Sequence, residues 1–296
     1  MSELDRLEEL RKKIIKRTVI GIIIAVLAGI LLIYITEGQL GIIMVAFIIG
    51  TILTAILTSK DRTEFNEIYK RIVVLSSFQK MFTDIDYKPE NGIAYETIAS
   101  TQMMNMGDRY HSNDYIKAKY KNINFESADV HIEEEHTDDE GHTTYVTIFR
   151  GQWFIFDFNK QFKANIQVCA KNFHNARRGS LFSKTKYNKV SMEDMEFNKE
   201  FKVYAQNELD AFYVLTPNCM EKIKELKDKT KGRLLLCFID NRLHVGLYNN
   251  KDLFEANIFK KINLEEEQNK TINEMKIITE FVDTLDLDND LFRREV

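Results

Sequence analysis

The chain is poor in the residues that build linkers, staples and metal knuckles. Two prolines in 296 residues exclude a proline-rich linker or recognition segment. Three cysteines, Cys169, Cys219 and Cys237, are an odd number without CxxC spacing, which argues against a disulfide framework or a zinc knuckle. Each lies in an apolar run, so all three are expected as buried free thiols, the state suited to a reducing compartment. There is no GxGxxG, no GxxxxGK(S/T), no HExxH and no GxSxG, so the common phosphate-binding, zinc-protease and serine-hydrolase chemistries have no local signature. A formal net charge of −4 gives no general preference for nucleic acid.

Charge is missing most completely from residues 18–57, where Glu37 stands alone. The stretch reads as two apolar halves around TEGQ, a turn by its composition. A helix of 18 residues is about 27 Å long, close to the thickness of a hydrocarbon core. Neither half has a polar face, which disfavours a buried helical pair in water and predicts a transmembrane helical hairpin. Gly21, Ala25 and Gly29 recur every four residues on the first helix, and Ala46 and Gly50 with Thr54 on the second. Small residues at this spacing let backbones approach, either within the hairpin or in a homodimer. No ionisable residue interrupts either span, which sets aside a transporter or channel.

Positive charge marks the ends. Arg11, Lys12, Lys13, Lys16 and Arg17 precede the first span, and Lys60, Arg62, Lys70 and Arg71 follow the second, while the turn has neither Lys nor Arg. Positive residues stay on the cytoplasmic side, so both termini are expected there. Residues 1–17 read as a basic, amphipathic helix with Ser2 as its cap and Leu4, Leu7, Leu10 and Ile14 as an apolar stripe. It suits a short coiled coil or an interfacial helix.

The remainder is an α+β pattern. Residues 63–82 form an amphipathic helix capped by Thr63, ended by Pro89, Asn91 and Gly92, with a short helix near 94–104. From residue 112 the alternation is that of strands: 114–136, 143–158, KANIQVCAK and EFKVYAQ. Asn207 and Thr216–Pro217 start two helices. RLLLCFID and RLHVGLY form a hairpin about Asp240 and Asn241. Residues 254–259 suit an edge strand and 264–285 a closing helix. The expected plan is a basic helix (1–17), a transmembrane hairpin (18–57), a juxtamembrane helical region (58–109) and a strand-rich cytosolic α+β domain with flanking helices (110–296). A small barrel of the PH type is one form its sheet could take.

Five stretches resemble the bacterial family named domain of unknown function 3137 (DUF3137). They are GIAYETIAS (92–100), NDYIKAKYKNINFESADV (113–130), FRGQWFIFDF (149–158), MEDMEFNKEFKVYAQNELDAFYVLTPNCMEKI (192–223) and FIDNRLHVGLYNNKDLFEANIF (238–259). The resemblance covers about residues 65–260. It implies one or two N-terminal spans followed by this domain, in the bacterial cell membrane, with no assigned activity. It also implies a LemA-type membrane protein as a partner. Members often carry Arg after the helix alanine, where this chain has Phe212.

Three stretches carry candidate chemistry. HIEEEHTDDEGH places His131, His136 and His142 among carboxylates, a donor set suited to zinc or another divalent metal, although the spacing matches no closed structural site and a solvated hairpin tip is the favoured explanation. Residues 158–192 hold eight Lys and Arg and no Asp or Glu. There, Arg177, Arg178, Lys184 and Lys186, with Lys12, Lys13, Lys16 and Arg17, could rest on anionic lipid at about 1 kcal/mol each. Asp286, Asp288 and Asp290 alternate as in a calcium loop, but Leu291 stands where glycine is required. The favoured reading is a membrane-anchored, non-enzymatic module binding a protein partner, anionic lipid or both, without a cofactor. The alternative is a membrane-associated metal-dependent enzyme built on the histidine hairpin.

Overall fold

The computed structural model describes residues 2–35, 40–157, 165–173, 187–285 and 287. The chain is α+β, with an N-terminal apolar helix and a large antiparallel sheet. It divides into two compact units: residues 1–77 with 254–271, and residues 78–253 with 272–296.

The first unit is helical. Helix α1 (Glu3–Ile35) opens on a reciprocal cap: the Asp5 N–H donates to Ser2 Oγ at 3.1 Å, and the Ser2 N–H donates to Asp5 Oδ2 at 3.1 Å. Its first turns bury Leu7, Leu10 and Ile14 completely. Helix α2 (Leu40–Tyr69) runs antiparallel to α1 and then passes into a π-helical turn (Lys70–Leu75) and a last turn, α3 (Ser76–Phe78). The expected break at Thr63 is absent. The Thr63 hydroxyl donates to the Ser59 carbonyl at 3.1 Å, so it serves the helix interior and caps nothing. The π turn loosens the carbonyl ladder, and Gln268 compensates by donating to the Ile72 carbonyl at 3.1 Å and to Ser76 Oγ at 2.7 Å.

The second unit is a nine-stranded, wholly antiparallel sheet in the order β1-β2-β3-β4-β9-β8-β5-β7-β6. In chain order its elements are β1 (Thr83–Lys88), α4 (Tyr95–Ala99), β2 (Arg109–Tyr120), β3 (Ile123–Thr137), β4 (Thr143–Asp157), β5 (Ile166–Ala170) and β6 (Asn188–Val190). Then come α5 (Met195–Glu200), β7 (Phe201–Ala205), α6 (Glu208–Val214), α7 (Pro217–Lys229), β8 (Arg233–Ile239), β9 (Arg242–Tyr248) and α8 (Leu264–Thr284), whose first turns belong to the first unit. Strands β1 and β6 stand at the two edges, so the sheet is open and not a PH-type barrel. Three local expectations also change. Residues 83–88, expected as the end of a helix and a turn, form an edge strand; residues 254–259 form none; and the short helix spans only Tyr95–Ala99.

Strand β4 is the axis of the sheet. Residues 151–156 are buried without a break, because both faces of the strand are covered. Trp153 and Ile155 point into a core with Ile132, Phe149, Leu235 and Cys237. Phe154 and Phe156 point the other way and meet Phe281 of α8 at ring distances of 5.6 and 5.9 Å. The caps expected at Asn207 and Thr216 are made: Asn207 Oδ1 accepts from the Leu209 N–H, and Thr216 Oγ1 from the Cys219 N–H. No cysteine is bonded. Cys169 and Cys237 are buried and Cys219 is half-buried, and burial pushes the Cys169 thiol up to about 12.

Candidate functional site

The α1–α2 pair places small residues against one another. A Cβ added at Gly21 would stand 2.1 Å from Thr54 Oγ1, and one at Gly50 would stand 2.7 Å from the Ala25 Cβ. Ala25 and Gly29 are buried, while the side chain of Ala46 lies outside the described residues. This close approach leaves the larger residues outside. Ile24, Leu27, Leu31, Met44 and Leu57 are each 60–70% exposed. Among the described residues one helix, Glu3–Leu32, is long and apolar enough to cross a membrane.

A charged collar closes one end of this pair. Asp61 of α2 is buried and accepts from Lys13 Nζ at 2.7 Å and from Arg17 Nη1 at 2.5 Å. The Lys13 ammonium, helped by Arg17, holds the Asp61 carboxyl below its ordinary value. Arg17 Nη1 also reaches the Leu57 carbonyl at 3.4 Å, and Arg62 Nε donates to Thr58 Oγ1 at 3.3 Å. Lys12 and Lys16 are exposed. Between the helices just inside the collar is a groove of about 280 Å³, lined by Arg17, Ile20, Gly21, Ile24, Thr54, Leu57 and Thr58. The remaining basic candidates, Arg177, Arg178, Lys184 and Lys186, lie outside the described residues, as do Asp286, Asp288 and Asp290.

The three candidate histidines are not brought together. Strand alternation sets His131 and His136 on opposite faces of β3. His131 is half-buried, with Nε2 3.3 Å from Thr147 Oγ1 and 3.6 Å from Glu133, and burial lowers its basicity. His136 pairs with Glu134 at 3.5 Å. His142 sits in the turn, 3.2 Å from Asp138, whose Oδ1 accepts from the N–H groups of Glu140 and His142. These are the contacts of a tight acidic turn.

The group of metal-ligand type among the described residues is a different one: Asp114, Asp129 and Asp252, with one oxygen of each within 4.8 Å of the others. Asp129 interrupts the apolar run of β3 and is buried. Its Oδ1 accepts from Gln152 Nε2 at 3.0 Å and its Oδ2 from the Leu253 N–H at 2.6 Å. Gln152 also donates to the Lys251 carbonyl and accepts from Asn249 Nδ2 at 2.7 Å. Asp114 accepts from the Tyr87 hydroxyl at 2.5 Å and from Asn113 Nδ2 at 2.9 Å. Burial raises the Asp129 carboxyl well above its ordinary value, and the nearby Asp252 adds to this. A hard cation takes six or more oxygen ligands, and both oxygens of Asp114 and of Asp129 already accept from protein donors. The arrangement clasps the 249–253 segment to β3 and β4. Sequence reasoning missed it because its members are scattered along the chain; the one local signal was a lone aspartate between Ala128 and Val130.

Residues 147–287 match the family model described as a protein of unknown function, DUF3137, so over this stretch the chain is DUF3137-like. No curated protein matches the chain. Among solved structures, the crystal structure of the mycobacterial trehalose monomycolate transport factor A is similar over 75% of this chain and 94% of that one, at 10% identity and a TM-score of 0.37.

Proposed function

We propose that the chain is a membrane-anchored interaction module of the bacterial cell membrane. In this reading α1 and α2 cross the bilayer as a two-span hairpin, and both termini and the sheet unit lie in the cytoplasm. The observation that carries the reading is the exposed apolar surface of the paired helices, with Ile24, Leu27, Leu31, Met44 and Leu57 all facing outward. Such a continuous patch is far larger than a monomer leaves open to water, and lipid is the solvent that suits it. The collar of Lys12, Lys13, Lys16 and Arg17 then sets the orientation and attracts anionic headgroups, joined by the basic residues Arg177, Arg178, Lys184 and Lys186. The work is binding, of anionic lipid and of a protein partner, for which a LemA-type membrane protein and a second copy of the chain are the first candidates. No observation favours the metal-dependent enzyme, since His131, His136 and His142 do not converge.

Washing native membranes with alkaline carbonate tests the anchor. The full chain is expected to stay in the pellet, and protease added to right-side-out cells is expected to leave both terminal tags intact. Release into the wash, or a tag cleaved from outside, would refute the reading. Purification in mild detergent with mass spectrometry of co-purifying chains then identifies the partner.

A further inference from the structure

We propose that the groove between α1 and α2 seats a single anionic phospholipid, its phosphate held by Arg17 and one acyl chain laid against Ile20, Ile24 and Leu57. The inference rests on the membrane reading above and adds a built site to it. The groove holds about 280 Å³, just below the usual range for enclosed ligand cavities, so it takes part of one acyl chain and leaves the rest of the lipid in the bilayer. Its walls are aliphatic, and its floor is made where Thr54 packs against Gly21 and by Thr58; the two hydroxyls donate to the Gly50 and Thr54 carbonyls. The floor is therefore polar in composition but already satisfied, and a methylene chain can lie on it without stranding a donor.

The mouth has the charge and the depth that a phosphate needs. Arg17 immediately precedes the first apolar span, which puts its guanidinium at the headgroup level of a bilayer. Among the described residues, Nη1 is the atom engaged, with Asp61 and Leu57, and the side chain is about half exposed. A guanidinium carries five N–H groups in a fork that matches phosphate oxygens, so donors remain for a ligand. Arg62, bonded to Thr58 on the groove wall, adds a second guanidinium beside it. Lys13 and Arg17 share the carboxylate of Asp61, and Arg62 is bonded to the neutral Thr58, so these four groups are positive overall and complement an anionic headgroup.

Native mass spectrometry of the full chain, taken from bilayers of equal phosphatidylglycerol and phosphatidylcholine, tests this. One phospholipid per chain is expected to survive, with phosphatidylglycerol preferred. Arg17→Gln is expected to lower phosphatidylglycerol retention about tenfold, the usual size of a lost charge-assisted contact. Ile24→Trp, which fills an already exposed wall, is expected to expel both lipids. Lys60→Gln, exposed at the same end of α2 but outside the groove, is expected to change nothing. No retained lipid, or an equal loss with Lys60→Gln, would overturn the site in favour of a diffuse field. A carbonate wash of the same membranes separates the two proposals. A chain that stays in the pellet yet holds no lipid overturns this site alone, and a chain that washes off overturns the anchor as well.

Discussion

The indole N–H of Trp153 donates to Nδ1 of His244 at 3.3 Å, across the central strands β4 and β9, with both rings buried. The imidazole must therefore be neutral, with its own proton on Nε2. Burial first, and then Arg242, lower its pKa to about 4. An unfolded histidine takes its proton near pH 6.5. The unfolded state thus binds the proton first, and the contribution is full above about 6.5 and is lost as pH falls toward 4. A difference of this size corresponds to roughly 3 kcal/mol. Because Trp153 is the one tryptophan in the chain, its fluorescence reports unfolding of this core directly. Urea midpoints followed at 350 nm are expected to fall between pH 6.5 and 4.5. His244→Phe is expected to flatten that slope while lowering stability at pH 7 by about 1–2 kcal/mol for the stranded indole N–H.

Asp61 joins α2 to two cations of α1 at once. Removing its carboxylate leaves Lys13 and Arg17, one helical turn apart, as unshielded like charges. Asp61→Ala is expected to cost about 1–3 kcal/mol and to lower the melting temperature of the detergent-solubilised chain. A double-mutant cycle with Lys13→Ala checks the cause: the second substitution should cost less in the Asp61→Ala background than alone. Since the native pKa of Asp61 is lowered, this contribution is present above about pH 4 and is lost in stronger acid.

What could be read from the sequence, and what could not, follows the range of the interactions. The caps at Ser2, Asn207 and Thr216 and the turn at Asp240–Asn241 are written in three or four adjacent residues, and each is where the sequence puts it. Strand β1 does alternate, with Ile85 and Tyr87 half-buried between exposed Asp84, Asp86 and Lys88, but its six residues are hidden between a longer helical pattern and the Pro89 turn. Thr63 misled because a threonine hydroxyl serves a helix interior as readily as a helix start. Strand β6 has three residues, too few for any periodicity. At the candidate site the basic collar was legible as a run of charge beside an apolar stretch. Its buried anion, Asp61, was not, because it is paired across 44 and 48 residues. The Asp129 clasp was invisible for the same reason, being made by residues up to 124 apart.

Gly151 is a position where no side chain fits. Its φ is +155°, and an added Cβ would lie 2.0 Å from the Leu247 carbonyl oxygen, inside the β4–β9 ladder. Backbone, not a flexible side chain, is in the way, so relief requires a shift of register. Gly151→Ala is expected to destabilise by about 2–4 kcal/mol, measured as a lower urea midpoint. Gly246→Ala on the facing strand would instead meet the Trp153 ring at 2.7 Å. It is expected to shift the tryptophan emission in the folded state as well as the midpoint.

The Asp129 clasp sets the opposite pH slope from His244, and the two can be separated. Burial chiefly, with Asp252 as the neighbouring acid, raises the Asp129 carboxyl, against the opposing pull of the Leu253 N–H and Gln152. An acid whose native pKa lies above its unfolded one keeps its proton in the folded state. Stability is therefore greatest at low pH and declines as pH rises from about 4 toward the native value. In a His244→Phe background the histidine contributes no slope. A fall in the urea midpoint as pH rises from about 4 then reports the carboxylates. Asp252→Asn removes the nearby acid, which is exposed and lies 3.9 Å from Arg150, and it replaces a repelling oxygen with an amide that can donate. In that background it is expected to flatten the decline without lowering stability at the acid end of the range. Asp129→Ala is expected to cost about 2–4 kcal/mol throughout, because it strands the Gln152 amide and the Leu253 N–H in the core. If Asp252→Asn leaves the slope as steep as in the native chain, Asp252 is not what loads the clasp, and burial of Asp129 must account for it alone.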